Sequence, residues 1–261
     1  MLEQIRFDDG AAYERFMGVW SQRAGERFLE WLGARPGLRW LDVGCGNGAF
    51  TEILLKRAAP MSVHGTDPSD GQLAYARTRA ALKTVQFLKG DAMALPYPED
   101  MFDAAVMPLV LFFVPEPAKG IAEMARVVSP GGFVTAYSWD MLGGGFPYAQ
   151  LQAEMKALGV TLLMPPSPEA SQITTLRELW TAAGLEAVET HEITVERTFA
   201  DFDDYWTTIQ GGPSIGSKLA AMPAGAVEQL KWRIRTLLPA DSSGRITYGA
   251  RANAVKGRVP R

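Results

Sequence analysis

A doubly wound α/β sheet of seven strands, with helices on both faces, is the architecture this sequence predicts, and three observations carry it. Residues 40–50, WLDVGCGNGAF, end an apolar run in an acid and open a glycine-rich turn straight into an amphipathic segment, TEILLKRAA. Two later segments, GTDPSDGQLAYAR from Gly65 and GDAMALPYPEDMFDAAVM from Gly90, again place an acid after a strand-like run. Strand, turn and helix alternating in this way build parallel sheets. Late in the chain His191–Glu196 and Arg245–Lys256 alternate polar and apolar residues, the period of strands with one buried face.

Taken in order, Trp20, Ala24, Phe28, Trp31 and Leu32 share one helical face, so residues 19–33 read as an amphipathic helix stopped by Gly33. The first strand spans about Leu38–Val43. Ser69-x-x-Gln72 is a capping-box pattern that starts a helix just after Asp67 and turns Gln72 toward a ligand. A fourth strand covers about Phe102–Pro108, followed by the apolar Leu109–Val114. The helix Pro117–Val128 buries Ile121, Met124, Ala125 and Val128, and Ser129-Pro130-Gly131-Gly132 ends it as a turn before a fifth strand, Phe133–Trp139. From Met141 the texture changes. Helices are expected near Pro147–Leu158, after a second capping box at Thr175-x-x-Glu178 that Gly184 closes, and at about 201–210 and 224–238.

The glycine turn points to a nucleotide at the carboxyl end of the sheet, because glycine backbone approaches a ligand closely and a helix N-terminus lies behind it. Two readings fit. Gly44, Gly46 and Ala49 satisfy a dinucleotide fingerprint with Asp67 as ribose ligand, which would make the chain a nicotinamide-dependent oxidoreductase. Alternatively Asp42-x-Gly44-x-Gly46-x-Gly48 holds the amino-acid end of S-adenosylmethionine, with Cys45 in the turn. Asp42 then sits near the ligand ammonium, or braces the loop through backbone N–H groups. Asp67, beside Pro68, accepts the ribose hydroxyls, and Asp91 and Ala92 meet the adenine edge.

LDVGCGNG, GTDPS, GDAMALPYPEDMFDAAV and EMARVVSPGGFV resemble, in order and spacing, the successive motifs of class I S-adenosylmethionine-dependent methyltransferases, in particular the small-molecule branch of the ubiquinone and menaquinone pathways. The resemblance covers about residues 10–140 well and the remainder loosely. Pro108 departs from it, standing where relatives often carry Ser or Asn and offering only a carbonyl acceptor. The resemblance implies a Rossmann-like fold whose last two strands form an antiparallel hairpin at a sheet edge. It implies one domain over 1–261: a helical cap at 1–37, a cofactor core at 38–140, and insertions at 141–183 and 198–244 roofing the site. Tyr13 and Trp20 would fold over the methionine end or pack on the surface, and S-adenosylhomocysteine would be the by-product.

Composition narrows the partners. The 261 residues carry 26 basic and 29 acidic side chains, net −3, without a block of like charge, which argues against nucleic acid. The basic run Lys231, Arg233, Arg235 reads as a solvated helix face. Cys45 is the only cysteine, which excludes an intrachain disulfide and suits a reducing cytoplasm. It fits the turn as a small side chain or serves as a reactive thiol. No apolar run approaches the roughly 20 residues that span a bilayer, and MLEQIRFDDG lacks a signal-peptide layout, so no integral membrane contact is expected. Two histidines and one cysteine without ligand spacing make a metal site unexpected.

Methyl transfer from a sulfonium needs positioning more than acid–base groups. Asp140, just after the fifth strand, is the candidate base, or else it orders the turn before Gly143. His64 and His191 read as structural. Phe112, Trp139, Tyr148 and Trp206 lie where a roof should be and suit an aromatic or apolar small-molecule acceptor. A cofactor-binding sensor on the same fold is the non-enzymatic alternative.

Overall fold

In the computed structural model the described residues are 14–212 and 215–261. A π-turn at Glu14–Gly18 leads into α1 (Val19–Leu32), β1 (Arg39–Val43), α2 (Ala49–Ala58), β2 (Ser62–Asp67), α3 (Asp70–Thr78), β3 (Gln86–Lys89) and β4 (Phe102–Pro108). Then come α4 (Pro117–Val127), β5 (Val128–Trp139), α5 (Ala149–Ala157), α6 (Ile173–Ala182) and β6 (Glu186–Phe199). The chain closes with α7 (Phe202–Gln210), α8 (Ile215–Ala221), α9 (Ala224–Leu237) and β7 (Ile246–Arg258). One seven-stranded sheet has the order β3-β2-β1-β4-β5-β7-β6. The first five strands pair in parallel, and β7 pairs antiparallel with both β5 and β6. The doubly wound sheet and its antiparallel hairpin are as the sequence implied.

Alternation along the central strands divides the core between two faces. Trp40, Ala104, Val106 and Tyr137 pack with Phe28 and Leu32 of α1 and with Phe50 and Leu54 of α2. Leu41, Val43, Ala105, Met107, Val134 and Ala136 meet Ile121 and Met124 of α4 and Leu176 and Trp180 of α6. Trp180 is fully buried, and its indole N–H donates to the Val134 carbonyl at 3.0 Å. Leu73 and Ala76 of α3 cover Phe87 at the β3 edge. Gly33 ends α1 in the left-handed region, its N–H bonded to the Leu29 carbonyl at 3.1 Å.

Several expectations need correction. Ser129–Gly132 is the start of β5 rather than a turn, because Gly131 donates to Val259 and Val259 to Gly132, extending the sheet. Ala125 is half-buried, and Gly120 and Val127 complete the buried stripe of α4 with Ile121 and Met124. Thr175 does not cap a helix: α6 begins at Ile173 after Gln172, without a side-chain cap. Helix α8 was not foreseen. His191 is exposed, not on the covered face with Ile193 and Val195, and its ring stacks on Trp31 at 5.4 Å.

Candidate cofactor site at the carboxyl end of the sheet

The glycine turn follows β1 because its backbone is held from the neighbouring strand. The N–H groups of Gly44 and Cys45 both donate to the Thr66 carbonyl, at 2.8 and 3.0 Å. Two glycines then do different work. Gly48 has φ +79, and a Cβ there would overlap the Leu82 side chain, so it sets the close packing of α2. Gly46 has φ +51, and its side faces open space, the nearest atom being Gln72 Oε1 at 4.0 Å. That bare stretch of backbone is where a ligand can approach.

Asp67 ends β2 and closes the turn. Its Oδ2 accepts the Gly46 N–H and its Oδ1 the Ser69 N–H, both at 2.9 Å. Burial pushes its pKa up, opposed by those two N–H groups. Ser69 Oγ accepts the Gln72 N–H at 3.3 Å, so the expected cap forms and Gln72 lies buried against the turn. Pro68 is exposed between them.

Asp42 is fully buried and accepts the Thr51 hydroxyl at 2.6 Å. The hydroxyl, rather than loop N–H groups, braces it. Its other oxygen, Oδ1, has no partner, and burial pushes the pKa up to about 7. An orphaned, half-neutral carboxylate beneath a glycine turn suits a cationic group. The Cys45 thiol is buried and pushed well above its usual range, first by burial and then by Asp42, so it is a packing group rather than a nucleophile.

The loop after β3 is tied to the same place, since Gly90 donates to the Asp67 carbonyl at 3.2 Å. Asp91 is exposed and accepts the Met93 N–H at 2.8 Å, and Ala92 is half-buried. Pro108 closes β4, buried and paired with Tyr137. The next residue, Leu109, takes φ +59, a conformation disfavoured for a branched side chain, and Val110 then packs over Gly44. Sequence reading passed over Leu109 and Val110; an apolar Pro-Leu-Val run carries no local signal of a left-handed residue.

Asp140 follows β5, but both its oxygens are occupied. Oδ1 accepts the Gly143 N–H at 2.9 Å, and Oδ2 takes the Arg251 guanidinium at 2.5 and 3.1 Å. The turn-ordering role is the one its geometry fits, not that of a base. His64 is buried edge-on to Tyr97 and Phe102, its pKa lowered by burial, as a structural residue.

The aromatics expected to form a roof are packed. Phe112, Trp139, Tyr148 and Trp206 are all under a tenth exposed. Tyr148 stacks on Phe16 at 4.3 Å and donates to the Phe16 carbonyl at 2.7 Å. Trp206 lies between Phe202 at 5.9 Å and the Lys231 ammonium at 5.4 Å. Trp20 is fully buried beside Tyr248 at 5.2 Å, which corrects the surface-packing option for it. Tyr13 lies outside the described residues. Among those residues no His/Cys/Asp/Glu cluster could hold a metal, and no helix is long and apolar enough to cross a membrane.

Known proteins resemble the chain in sequence and in fold. Residues 41–136 match the family profile described as a methyltransferase domain. A 2-methyl-6-phytyl-1,4-hydroquinone methyltransferase of Oryza sativa subsp. japonica is 43% identical over 95 residues, covering 36% of this chain and 27% of that protein. A demethylmenaquinone methyltransferase of Staphylococcus aureus is 32% identical over 149 residues, 56% of this chain and 58% of that protein. The chain thus spans about a quarter and under two thirds of these relatives' lengths. Among solved structures, Haemonchus contortus phosphoethanolamine N-methyltransferase 2, bound to phosphomonomethylethanolamine and S-adenosylhomocysteine, superposes with TM-score 0.59 at 17% identity over 96% of this chain and 56% of that one. The [4+2]-cyclase SpnF superposes with TM-score 0.55 at 23% identity, over 92% and 81%. Residues 41–136 thus match a methyltransferase-domain profile, on a chain whose fold superposes on those of solved methyltransferases.

Proposed function

We propose that the chain transfers a methyl group from S-adenosylmethionine to a small aromatic or apolar acceptor, through an O, N or C nucleophile, in a cytoplasmic setting. The observation that carries this reading is the Asp42, Gly46 and Asp67 arrangement: an unpaired buried carboxylate oxygen, an open glycine backbone, and a second carboxylate fixed by two N–H groups. When bound, the cofactor supplies a methyl group on a sulfonium leaving group. Asp42 would then hold the ammonium, Asp67 the ribose hydroxyls beside Pro68 and Gln72, and Asp91 with Ala92 the adenine edge. The insertions at 141–183 and 198–244, apart from α6 packed on the sheet face, would exclude water and hold the acceptor, which reduces the reaction to positioning. The relatives named for hydroquinone and menaquinone substrates make hydroquinones the first acceptors to try.

Calorimetric titration with S-adenosylhomocysteine and with NAD(H) separates this reading from an oxidoreductase. Asp67→Ala is expected to weaken S-adenosylhomocysteine binding at least about tenfold, roughly 1.4 kcal/mol. Unchanged affinity would remove the ribose role. One observation favours a second reading, a cofactor-binding sensor: the roof aromatics are packed as core, so an acceptor enters only if the roof opens. Incubation with methyl-labelled cofactor and a fractionated extract decides between them. A labelled small molecule supports transfer, and none across broad extracts supports the sensor.

A further inference from the structure

A cavity of about 500 Å³ opens at the amino end of the sheet, opposite the glycine turn. The five residues of β1, at about 3.3 Å each, put roughly 17 Å between the two sites. The cavity floor is apolar, with Leu38 buried and Phe133 half-buried, edge-on to Trp40 at 5.3 Å. Arg35, Lys256, Arg258 and Arg261 line its walls against two carboxylates, Asp103 and Glu189.

Both carboxylates already have partners. Asp103 takes the Arg39 guanidinium at 2.8 and 3.1 Å together with the Arg39 backbone N–H at 2.8 Å. Glu189 pairs with Lys256 at 3.1 Å. Arg258 donates to the Gly131 carbonyl at 3.1 Å. Arg35 and Arg261 are both exposed, and neither makes an ion pair within 4 Å among the described residues, though Arg35 lies close enough to Asp103 to help lower its pKa. The cavity is therefore locally cationic in a chain of net charge −3, and such a concavity concentrates anions.

We propose that this cavity is a second binding site, for a small organic anion. Arg35 and Arg261 hold its phosphate or carboxylate group, and its apolar body lies on Leu38 and Phe133. Guanidinium forks match the oxygens of such groups two at a time. The volume falls in the range of small-molecule sites. The site is separate from the cofactor crevice and does not rest on the methyl-transfer reading.

Calorimetric titration of the whole chain with 1-naphthyl phosphate, under saturating S-adenosylhomocysteine, tests it. The expected result is one saturable site per chain, indifferent to S-adenosylhomocysteine and weakened at least about tenfold in Arg35→Ala/Arg261→Ala. Inorganic phosphate should bind more weakly, since it leaves the apolar floor uncovered. Displacement of the probe by S-adenosylhomocysteine, equal affinity in the double variant, or no saturation in the millimolar range would each overturn the proposal. Inorganic phosphate binding as tightly would overturn the organic part of it. Should the double variant lose its circular-dichroism signature, Arg35→Glu alone, at an exposed position, carries the same comparison.

Discussion

The two ends of the sheet carry opposite charge and are built by different means. At the carboxyl end each acid belongs to one strand terminus: Asp42 within β1, Asp67 closing β2, Asp91 just past β3, Asp140 just past β5. Backbone shapes that end, through the left-handed glycines and the strained Leu109. At the amino end Arg35, Arg39, Lys256, Arg258 and Arg261 are gathered from opposite ends of the chain, and their side chains supply the charge around backbone that includes Gly33, Gly131 and Gly132. A packed left-handed glycine resists replacement, whereas exposed side chains give up their contacts singly. Substitutions of similar size should therefore cost more at the carboxyl end.

The largest contrast is expected from Gly48→Val. A side chain there must enter the Leu82 packing and hold φ +79, and the two costs together come to about 3 kcal/mol. Urea unfolding reads this as a lowered midpoint. An unchanged midpoint would mean that the turn relaxes, and the backbone account of this end would fail.

Asp42→Asn should act in the other direction. Asp42 titrates at about 7 when folded against 3.8 in the reference state, so between those values the folded chain keeps a proton the unfolded chain has released. Stability therefore falls as pH rises across that window. The asparagine variant should flatten the slope and be more stable at pH 8 by up to about 4 kcal/mol, with little gain at pH 4. Its affinity for S-adenosylhomocysteine should drop, because the orphaned oxygen no longer carries charge. A difference independent of pH would contradict the burial argument.

This contrast also explains what could be read from sequence. The carboxyl end of the sheet was legible because each part is contiguous: an apolar run, an acid, and a turn or cap within a few residues, as in LDVGCGNG or Ser69-x-x-Gln72. Pairing between distant segments was not. Ser129–Gly132 has turn composition, yet its backbone bonds to Val259 make it strand. His191 has the parity of Ile193 and Val195, yet it is exposed and stacks on Trp31. Helix α8, with Gly216 and Ser217, has weak intrinsic preference and is held by Ile215 and Leu219 in the core. The cationic cavity escaped for the same reason, since no stretch of sequence holds its charges together.

Gly46→Ala sharpens the comparison within one loop. The position is left-handed but unobstructed, so stability should fall by only about 1 kcal/mol. The added methyl projects into the ligand's approach, so S-adenosylhomocysteine should bind at least about tenfold more weakly. Calorimetry and unfolding on the same variant separate the two effects. Loss of stability without loss of affinity would show that the ligand does not approach at this backbone.

The smallest effect is expected at the amino end, from Asp103→Asn. The Arg39 guanidinium and backbone N–H hold the Asp103 carboxyl below its usual range, despite partial burial. The pair is exposed at 40% for Arg39 and 29% for Asp103, so solvent screens it and its worth is at most about 1 kcal/mol. A lowered acid stabilises the fold above its unfolded value near 3.8, and that contribution disappears as pH falls through the folded value. Wild type and Asp103→Asn should thus differ slightly in melting temperature at pH 7 and converge as pH falls through the lowered Asp103 value, the reverse of the Asp42 pattern. Because Asp103 lines the cavity and would lose its negative charge, the same variant should bind 1-naphthyl phosphate more tightly, which ties the electrostatics of this end to the occupant argued for it.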